Sequence, residues 1–166
     1  MEIRETRAVD RTKLLALYPK AFPEEDLTAV VAALLDREDV LSLTAVAGDP
    51  IGHVAFTRCG PDRSGALLGP LAVSPDNQAA GIGTALVRAG FDRLTEGGVH
   101  QVFVLGDPSY YQRFGFEAEH SVEPPYALPA EWDGAWQSVS LAGRAPLPAG
   151  PLSLPAPWMD RSLWAP

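Results

Sequence analysis

One stretch constrains the fold of this chain more than any other. Leu71-Ala72-Val73-Ser74-Pro75-Asp76-Asn77-Gln78-Ala79-Ala80-Gly81-Ile82-Gly83-Thr84 passes from an apolar run through a polar loop into a helix. From Gly83 onward Leu86, Val87, Gly90, Phe91 and Leu94 keep the spacing of one helix face, while Arg88, Asp92, Arg93 and Glu96 take the other. Gly97-Gly98 stops this helix. Val102 to Leu105 is a short apolar run suited to a buried strand, and Asp107-Pro108 then starts a short helix near Tyr110 to Phe114. The order strand, helix, strand, helix implies an α/β sandwich.

The loop suits a phosphate group. Small residues and two glycines at a helix start leave several backbone N–H groups unpaired and uncovered, so a pyrophosphate can approach closely and meet the positive end of the helix dipole. Two other phosphate motifs do not fit. The dinucleotide fingerprint needs a third glycine or alanine where this chain has Leu86, and it places its first glycine directly after a strand. The nucleoside-triphosphate loop needs Gly-Lys-Ser/Thr, and both lysines, Lys13 and Lys20, lie elsewhere.

Upstream, Leu14, Leu17, Tyr18, Ala21 and Phe22 recur at helical spacing, and Pro19 predicts an end or kink near Tyr18. A second amphipathic helix is expected after Pro23, with Leu27, Val30, Val31, Leu34 and Leu35 on one face and Glu24, Glu25 and Asp26 in its first turn. Leu41 to Ala47 and Ile51 to Thr57, separated by Gly48-Asp49-Pro50, predict a hairpin, and Ala66 to Val73 a third strand. Beyond Glu123 come Pro124-Pro125, a strand at Gln137 to Leu141, and a proline-rich, non-helical tail that carries Trp158 and Trp164.

Composition excludes several classes. The 166 residues are 46% hydrophobic, enough for one sizeable core. A net charge of -8 with no basic run argues against a nucleic-acid partner and leans towards cationic visitors such as protonated amines. Cys59 is the single cysteine, so there is no intramolecular disulfide and no cysteine pair with metal-ligand spacing. The start of the chain has no signal-like segment, and Ala29 to Leu35 is too short to span a bilayer. A cytoplasmic location without membrane anchoring, and no metal, are the expectations. Nothing fixes the oligomeric state, and a homodimer is compatible with the sequence.

Gln78-x-x-Gly81-x-Gly83, preceded by Leu71-Ala72-Val73 and a proline, resembles the acetyl-CoA signature of the GCN5-related N-acetyltransferases (GNAT). Gly69-Pro70-Leu71-Ala72-Val73 and Val104-Leu105-Gly106-Asp107-Pro108-x-Tyr110-Tyr111-x-x-Phe114-Gly115-Phe116 resemble especially the bacterial YhbS-like subgroup. The resemblance covers Ile3 to Ala118 in element order and is motif-specific from Gly69 to Phe116. It implies the GNAT fold, a mixed and strongly twisted sheet flanked by helices, with two central strands that splay apart. It also implies an acetyltransferase domain over residues 1–145, with 146–166 as a proline-rich tail.

In that family the gap holds acetyl-CoA as co-substrate. Leu71, Ala72 and Val73 would pair with the pantetheine amides like an added strand, and Gln78, Ala79, Ala80, Gly81, Ile82, Gly83 and Thr84 would surround the pyrophosphate. The implied reaction is direct attack by a primary amine, of a small molecule or a protein, on the thioester. The competing interpretation keeps the fold and the cofactor but drops catalysis.

An alkyl amine has a pKa of about 10.4 and arrives protonated, so something must remove a proton before it attacks. Tyr111 occupies the position of the family's acid, in Tyr-x-x-x-Gly-Phe, and would hydrogen-bond or protonate the departing thiolate. Many relatives carry a glutamate on the strand equivalent to Ala66 to Val73; here that strand has no ionisable group. The base is therefore open between Asp107, His53 and water. Asp107 before Pro108 is more simply a helix cap, and a lone strand histidine such as His53 is more often a satisfied structural one. Cys59, in a turn without a base partner, is discounted as a nucleophile.

Overall fold

The computed structural model describes all of residues 1–166. The chain divides into two compact units, Met1–Phe56 with Gly69–Arg93, and Thr57–Leu68 with Leu94–Pro166. Its strands form a seven-stranded mixed sheet of order β1-β2-β3-β4-β5-β8-β6 and a separate two-stranded pair, β7-β9. Strands β3 (Asp49–Cys59) and β4 (Gly65–Val73) each run from one unit into the other.

In the first unit, β1 (Glu2–Glu5) pairs antiparallel with β2 (Val40–Ala47), in register from Glu2↔Val46 to Glu5↔Leu43. Helix α1 (Arg11–Ala21) buries Leu14, Leu17 and Tyr18. The expected break at Tyr18 does not occur: α1 passes through Pro19 and closes with the Phe22 N–H on the Tyr18 carbonyl at 2.8 Å. Pro19 lies in the last turn, where its missing N–H removes one ladder bond, and the buried face formed by its neighbours offsets that loss. Helix α2 (Thr28–Leu35) buries Val30, Val31 and Leu34 as expected but begins later. Glu24, Glu25 and Asp26 stand outside it, and the Asp26 carboxylate accepts from the Thr28 N–H at 3.3 Å. They precede the first turn because the segment after Pro23 turns before it coils.

Helix α3 (Ile82–Glu96) begins in this unit. It approaches β3 through Gly90, where a Cβ would lie 2.2 Å from the Phe56 ring, so only glycine permits that spacing. Phe91 then meets Phe56 edge-on at 6.4 Å.

In the second unit, the first half of β4 runs parallel to β5 (Gln101–Leu105), in register from Gly65↔Gln101 to Leu68↔Val104. Strand β5 pairs antiparallel with β8 (Trp136–Ser140), and β8 with the two-residue β6 (Glu117–Ala118). The two-residue strands β7 (Val122–Glu123) and β9 (Gly150–Pro151) pair in parallel. Thus the three expected strands β2, β3 and β4, the strand β5 and the strand β8 are present with shifted ends, whereas β1, β6, β7 and β9 carried no clear sequence signal.

The tail is ordered. Its two short 3-10 turns, Ala156–Met159 and Arg161–Trp164, bury Trp158 and Trp164. Phe103, Trp136, Trp164 and Trp158 form a ring-contact chain with successive centroid separations of 5.6, 5.7 and 6.2 Å. A buried indole N–H must find an acceptor, and each does: Trp136 on the Val122 carbonyl at 2.8 Å, Trp158 on Thr57 Oγ1 at 3.0 Å, Trp164 on the Trp158 carbonyl at 2.8 Å. No helix is long and apolar enough to cross a membrane.

Candidate active site

The loop between β4 and α3 is shaped by its own hydrogen bonds. Pro75–Asn77 forms a 3-10 turn closed by the Asn77 N–H on the Ser74 carbonyl at 2.8 Å, and the Ser74 N–H is held by the Ile51 carbonyl at 2.8 Å. The Gln78 side-chain amide donates back to the Val73 carbonyl at 3.1 Å, tying the loop to the end of β4. Ala79 then adopts φ 64° and Gly81 φ 80°, which reverse the chain into α3.

The first helical bond recorded there runs from the Ala85 N–H to the Gly81 carbonyl at 3.0 Å. The N–H groups of Ile82, Gly83 and Thr84 precede that rung and point out of the helix start. Ala79, Ala80 and Gly81 are exposed, and a Cβ built on Gly81 meets nothing within 4 Å. Ile82 and Gly83 are buried and Thr84 half-buried, so what the site presents is a positive dipole end and room beside the exposed Gly81, features that suit close approach of an anionic group. Of the residues assigned to the pantetheine edge, Leu71 and Val73 are half-buried and Ala72 is buried. In the second unit, the β4–β5 register runs to Leu68, directly before Gly69-Pro70, whose proline has no N–H to donate.

Tyr111 ends helix α4 (Pro108–Tyr111), also in the second unit. Asp107 starts this helix as the sequence implies: its Oδ1 accepts from the Ser109 N–H at 2.9 Å and the Ser109 hydroxyl at 2.8 Å. The same carboxylate is thereby occupied as a cap. The Tyr111 ring packs against the chain at Gly106, where a Cβ would come within 2.5 Å of it. Tyr110 and Phe116 meet the ring edge-on, at 5.0 and 5.7 Å. Burial, reinforced by Tyr110, pushes the phenol well above its ordinary range, so Tyr111 keeps its proton at neutral pH.

His53 lies fully buried on β3 in the first unit. Its Nδ1 is 2.6 Å from the Tyr18 hydroxyl and its Nε2 2.7 Å from the Ser42 hydroxyl, so it is a satisfied histidine, as lone strand histidines usually are. Burial brings it down to about 4, so it is neutral at pH 7. Cys59 is buried and pushed up to about 12 by the same cause, which leaves no thiolate for nucleophilic chemistry. Tyr18 carried no mark in the sequence beyond its place in an apolar helical pattern; only the fold sets its hydroxyl on His53.

The GNAT acetyltransferase domain family matches residues 38–118. Over 147 residues the chain is 35% identical to YjhQ of Escherichia coli strain K12, an uncharacterized N-acetyltransferase, with 81% of each chain covered. It is 36% identical over 142 residues to YhbS of the same strain, also an uncharacterized N-acetyltransferase, again with 81% of each covered. The crystal structure of E. coli YhbS in complex with CoA matches the fold at a TM-score of 0.80 and 29% identity, covering 93% of this chain and 89% of that one. A GNAT family acetyltransferase from Brucella melitensis in complex with acetyl-CoA matches at 0.73 and 27%, covering 94% and 96%. This chain belongs to the GNAT family of N-acetyltransferases, in its YhbS-like subgroup.

Proposed function

We infer that the protein transfers the acetyl group of acetyl-CoA to a primary amine by direct attack in a ternary complex. The observation that carries this is the start of α3, where the first turn of the helix and the open face of Gly81 follow the strand end Leu71–Val73. YhbS and the Brucella melitensis enzyme, crystallised with CoA and acetyl-CoA, support the same ligand here.

The N–H groups of Ile82, Gly83 and Thr84 bind the pyrophosphate, with Gln78, Ala79, Ala80 and Gly81 shaping its approach. Leu71, Ala72 and Val73 pair with the pantetheine amides as an added strand. Tyr111 donates a hydrogen bond to the sulfur as charge grows on it. A phenol this far above its ordinary range gives up its proton unwillingly, so stabilisation through the hydrogen bond is the larger part of its role.

Two measurements test this. Acetyl-CoA at a hundred times its Kd should stabilise the fold by about 2.7 kcal/mol, a rise of roughly 5–10 °C in Tm for a chain of this size. Dephosphorylated pantetheine should do much less. Free-thiol release against a panel of amines, with mass detection of the product, then identifies the acceptor. Absence of any acetyl-CoA-dependent stabilisation would remove the cofactor assignment.

A further inference from the structure

One buried polar chain in the first unit has no part in the steps described so far. It runs from Tyr18 through His53 to Ser42, whose hydroxyl continues to Thr6 Oγ1 at 2.6 Å, and from there to Thr44 Oγ1 at 2.7 Å. At its other end the Tyr18 hydroxyl lies 3.5 Å from the Pro70 carbonyl. Ser42 and Thr6 are half-buried, so that end reaches the surface, whereas Tyr18 is 1% exposed and His53 fully buried. The inner end therefore stands against β4 one residue before Leu71.

These groups can be satisfied in two ways. In the first, the Tyr18 hydroxyl donates to Nδ1 of His53, and Nε2–H donates to Ser42. In the second, Nδ1–H donates to Tyr18, the Tyr18 hydroxyl turns to the Pro70 carbonyl, which can only accept, and Ser42 donates to Nε2. Passing from the first to the second moves one proton outward and leaves every member neutral.

Burial favours such a neutral relay, because it opposes an imidazolium at His53 more than Asp10 supports one. Asp10 is itself held by Arg4 through bonds of 2.7 and 2.9 Å. Tyr18 on α1 and Asp10 before α1 are the ionisable groups that bear on the ring, with Arg4 on β1 holding Asp10; β2 contributes the Ser42 hydroxyl to the ring and the Thr44 hydroxyl to Thr6.

If acetyl-CoA lies along β4 as described above, its pantetheine runs from the loop back past Val73 to Leu71, and the thioester end falls beside Pro70. We propose that the Tyr18–His53–Ser42–Thr6 chain is the proton path of acetyl transfer, taking one proton from the acceptor's ammonium and returning one to the sulfur. The ammonium brings three protons on nitrogen. One crosses a bridging water to the Tyr18 oxygen as the Tyr18 proton moves to Nδ1, the Nε2 proton to Ser42, the Ser42 proton to Thr6, and the Thr6 proton to solvent. The freed lone pair forms the C–N bond; the C–S bond breaks and its electron pair goes to sulfur. A second proton leaves the acylated nitrogen for water and the third stays on the amide. The reverse passage draws a proton from solvent, delivers it to the thiolate and restores the first arrangement. One proton is released per acetyl group moved, as conversion of an ammonium and a thioester into an amide and a thiol requires.

Tyr18→Phe removes the inner hydroxyl and Ser42→Ala interrupts the outer half, so either variant serves if the other fails to fold. Single-turnover acetyl transfer to the alkylamine found by the panel is measured from pH 6 to 9, with acetyl-CoA affinity by calorimetry. A broken path leaves only amine that is already neutral able to react. The rate at pH 7 should then fall about a hundred- to a thousandfold, and the deficit should shrink as pH rises towards the amine's own value of about 10.4, with acetyl-CoA affinity unchanged. Nitrogen-15 NMR of His53 reads the chain without any acceptor and should show both neutral tautomers in exchange at pH 7. A deficit constant across pH, unchanged rates in both variants, or a doubly protonated His53 at pH 7 would each overturn the proton path while leaving acetyl transfer standing. A wild-type protein that binds acetyl-CoA yet acetylates no amine would overturn the acetyltransferase assignment, and the path with it.

Discussion

Gly81 offers the sharpest separation between binding and folding. Its φ of 80° is costly for most side chains, but a Cβ there meets nothing within 4 Å, so the cost of substitution is confined to the backbone. Asp and Asn tolerate this conformation better than other residues, and the general left-handed penalty is about 1–2 kcal/mol. Gly81→Asp and Gly81→Asn should both stay folded. They differ in charge and hardly in bulk. A carboxylate at about 5 Å from a phosphate charge, in an effective dielectric of about 20, is opposed by about 3 kcal/mol. That corresponds to a loss of more than about a hundredfold in affinity.

Isothermal calorimetry with acetyl-CoA should therefore rank wild type, then Asn within about tenfold, then Asp far weaker, with the Asp deficit narrowing as salt screens the repulsion. Equal affinities for the Asp and Asn variants, in proteins shown to be folded by circular dichroism, would mean that no phosphate sits at the start of α3.

Tyr111→Phe keeps the ring against Gly106 and removes the donor, so single-turnover acetyl transfer should fall about ten- to a thousandfold with acetyl-CoA affinity nearly unchanged. Trp164 is 2% exposed between Trp136 and Trp158 in the tryptophan chain, so Trp164→Ala should cost about 3–5 kcal/mol in urea unfolding; a negligible loss would show the tail to be dispensable for the fold. Arg4 and the Arg7 N–H hold the Asp10 carboxyl below its ordinary range, so its contribution is present above the unfolded value of 3.8 and disappears as pH falls through the lower folded value. Asp10→Asn should accordingly lower the urea midpoint at pH 7, and the gap to wild type should close in strong acid.

How far these features could be read in advance depended on how local their causes are. The loop from Leu71 to Thr84 was legible because a helix start that leaves its amides uncovered needs particular residues at fixed spacing, and Gln78, Gly81 and Gly83 supply them within six positions. Ala79 was not legible as a left-handed residue, since alanine has no preference for φ 64° and is held there by the loop on either side. Pro19 misled for a related reason. A proline rule weighs one lost hydrogen bond and a local clash, whereas the end of α1 is set by burial of Leu14, Leu17 and Tyr18 on one face. β1 was missed because Glu2–Glu5, with two glutamates and an arginine in four residues, has the composition of an exposed edge and earns its pairing only from β2.

The same distinction separates the two halves of the proposed chemistry. Tyr111 could be singled out because its place in Tyr-x-x-x-Gly-Phe resembles that of the family's acid, on a helix that begins at a cap written in adjacent residues, Asp107 and Pro108. The members of the buried chain come from β1–α1, α1, β2 and β3, at positions 6, 18, 42 and 53, and no rule of spacing relates them. What relates them is a requirement of the interior: a fully buried imidazole must have partners for both nitrogens, and each hydroxyl that satisfies it must itself be satisfied, until the series reaches water or a carbonyl. Such a series, once complete, has donors and acceptors that can reverse together, and where His53 changes tautomer that reversal carries a proton along it. On the proposed path, a strand with no ionisable group at Gly65–Val73 does not remove the means of deprotonating an amine; the demand passes to Tyr18 on α1 and His53 on β3, which only the folded chain brings together.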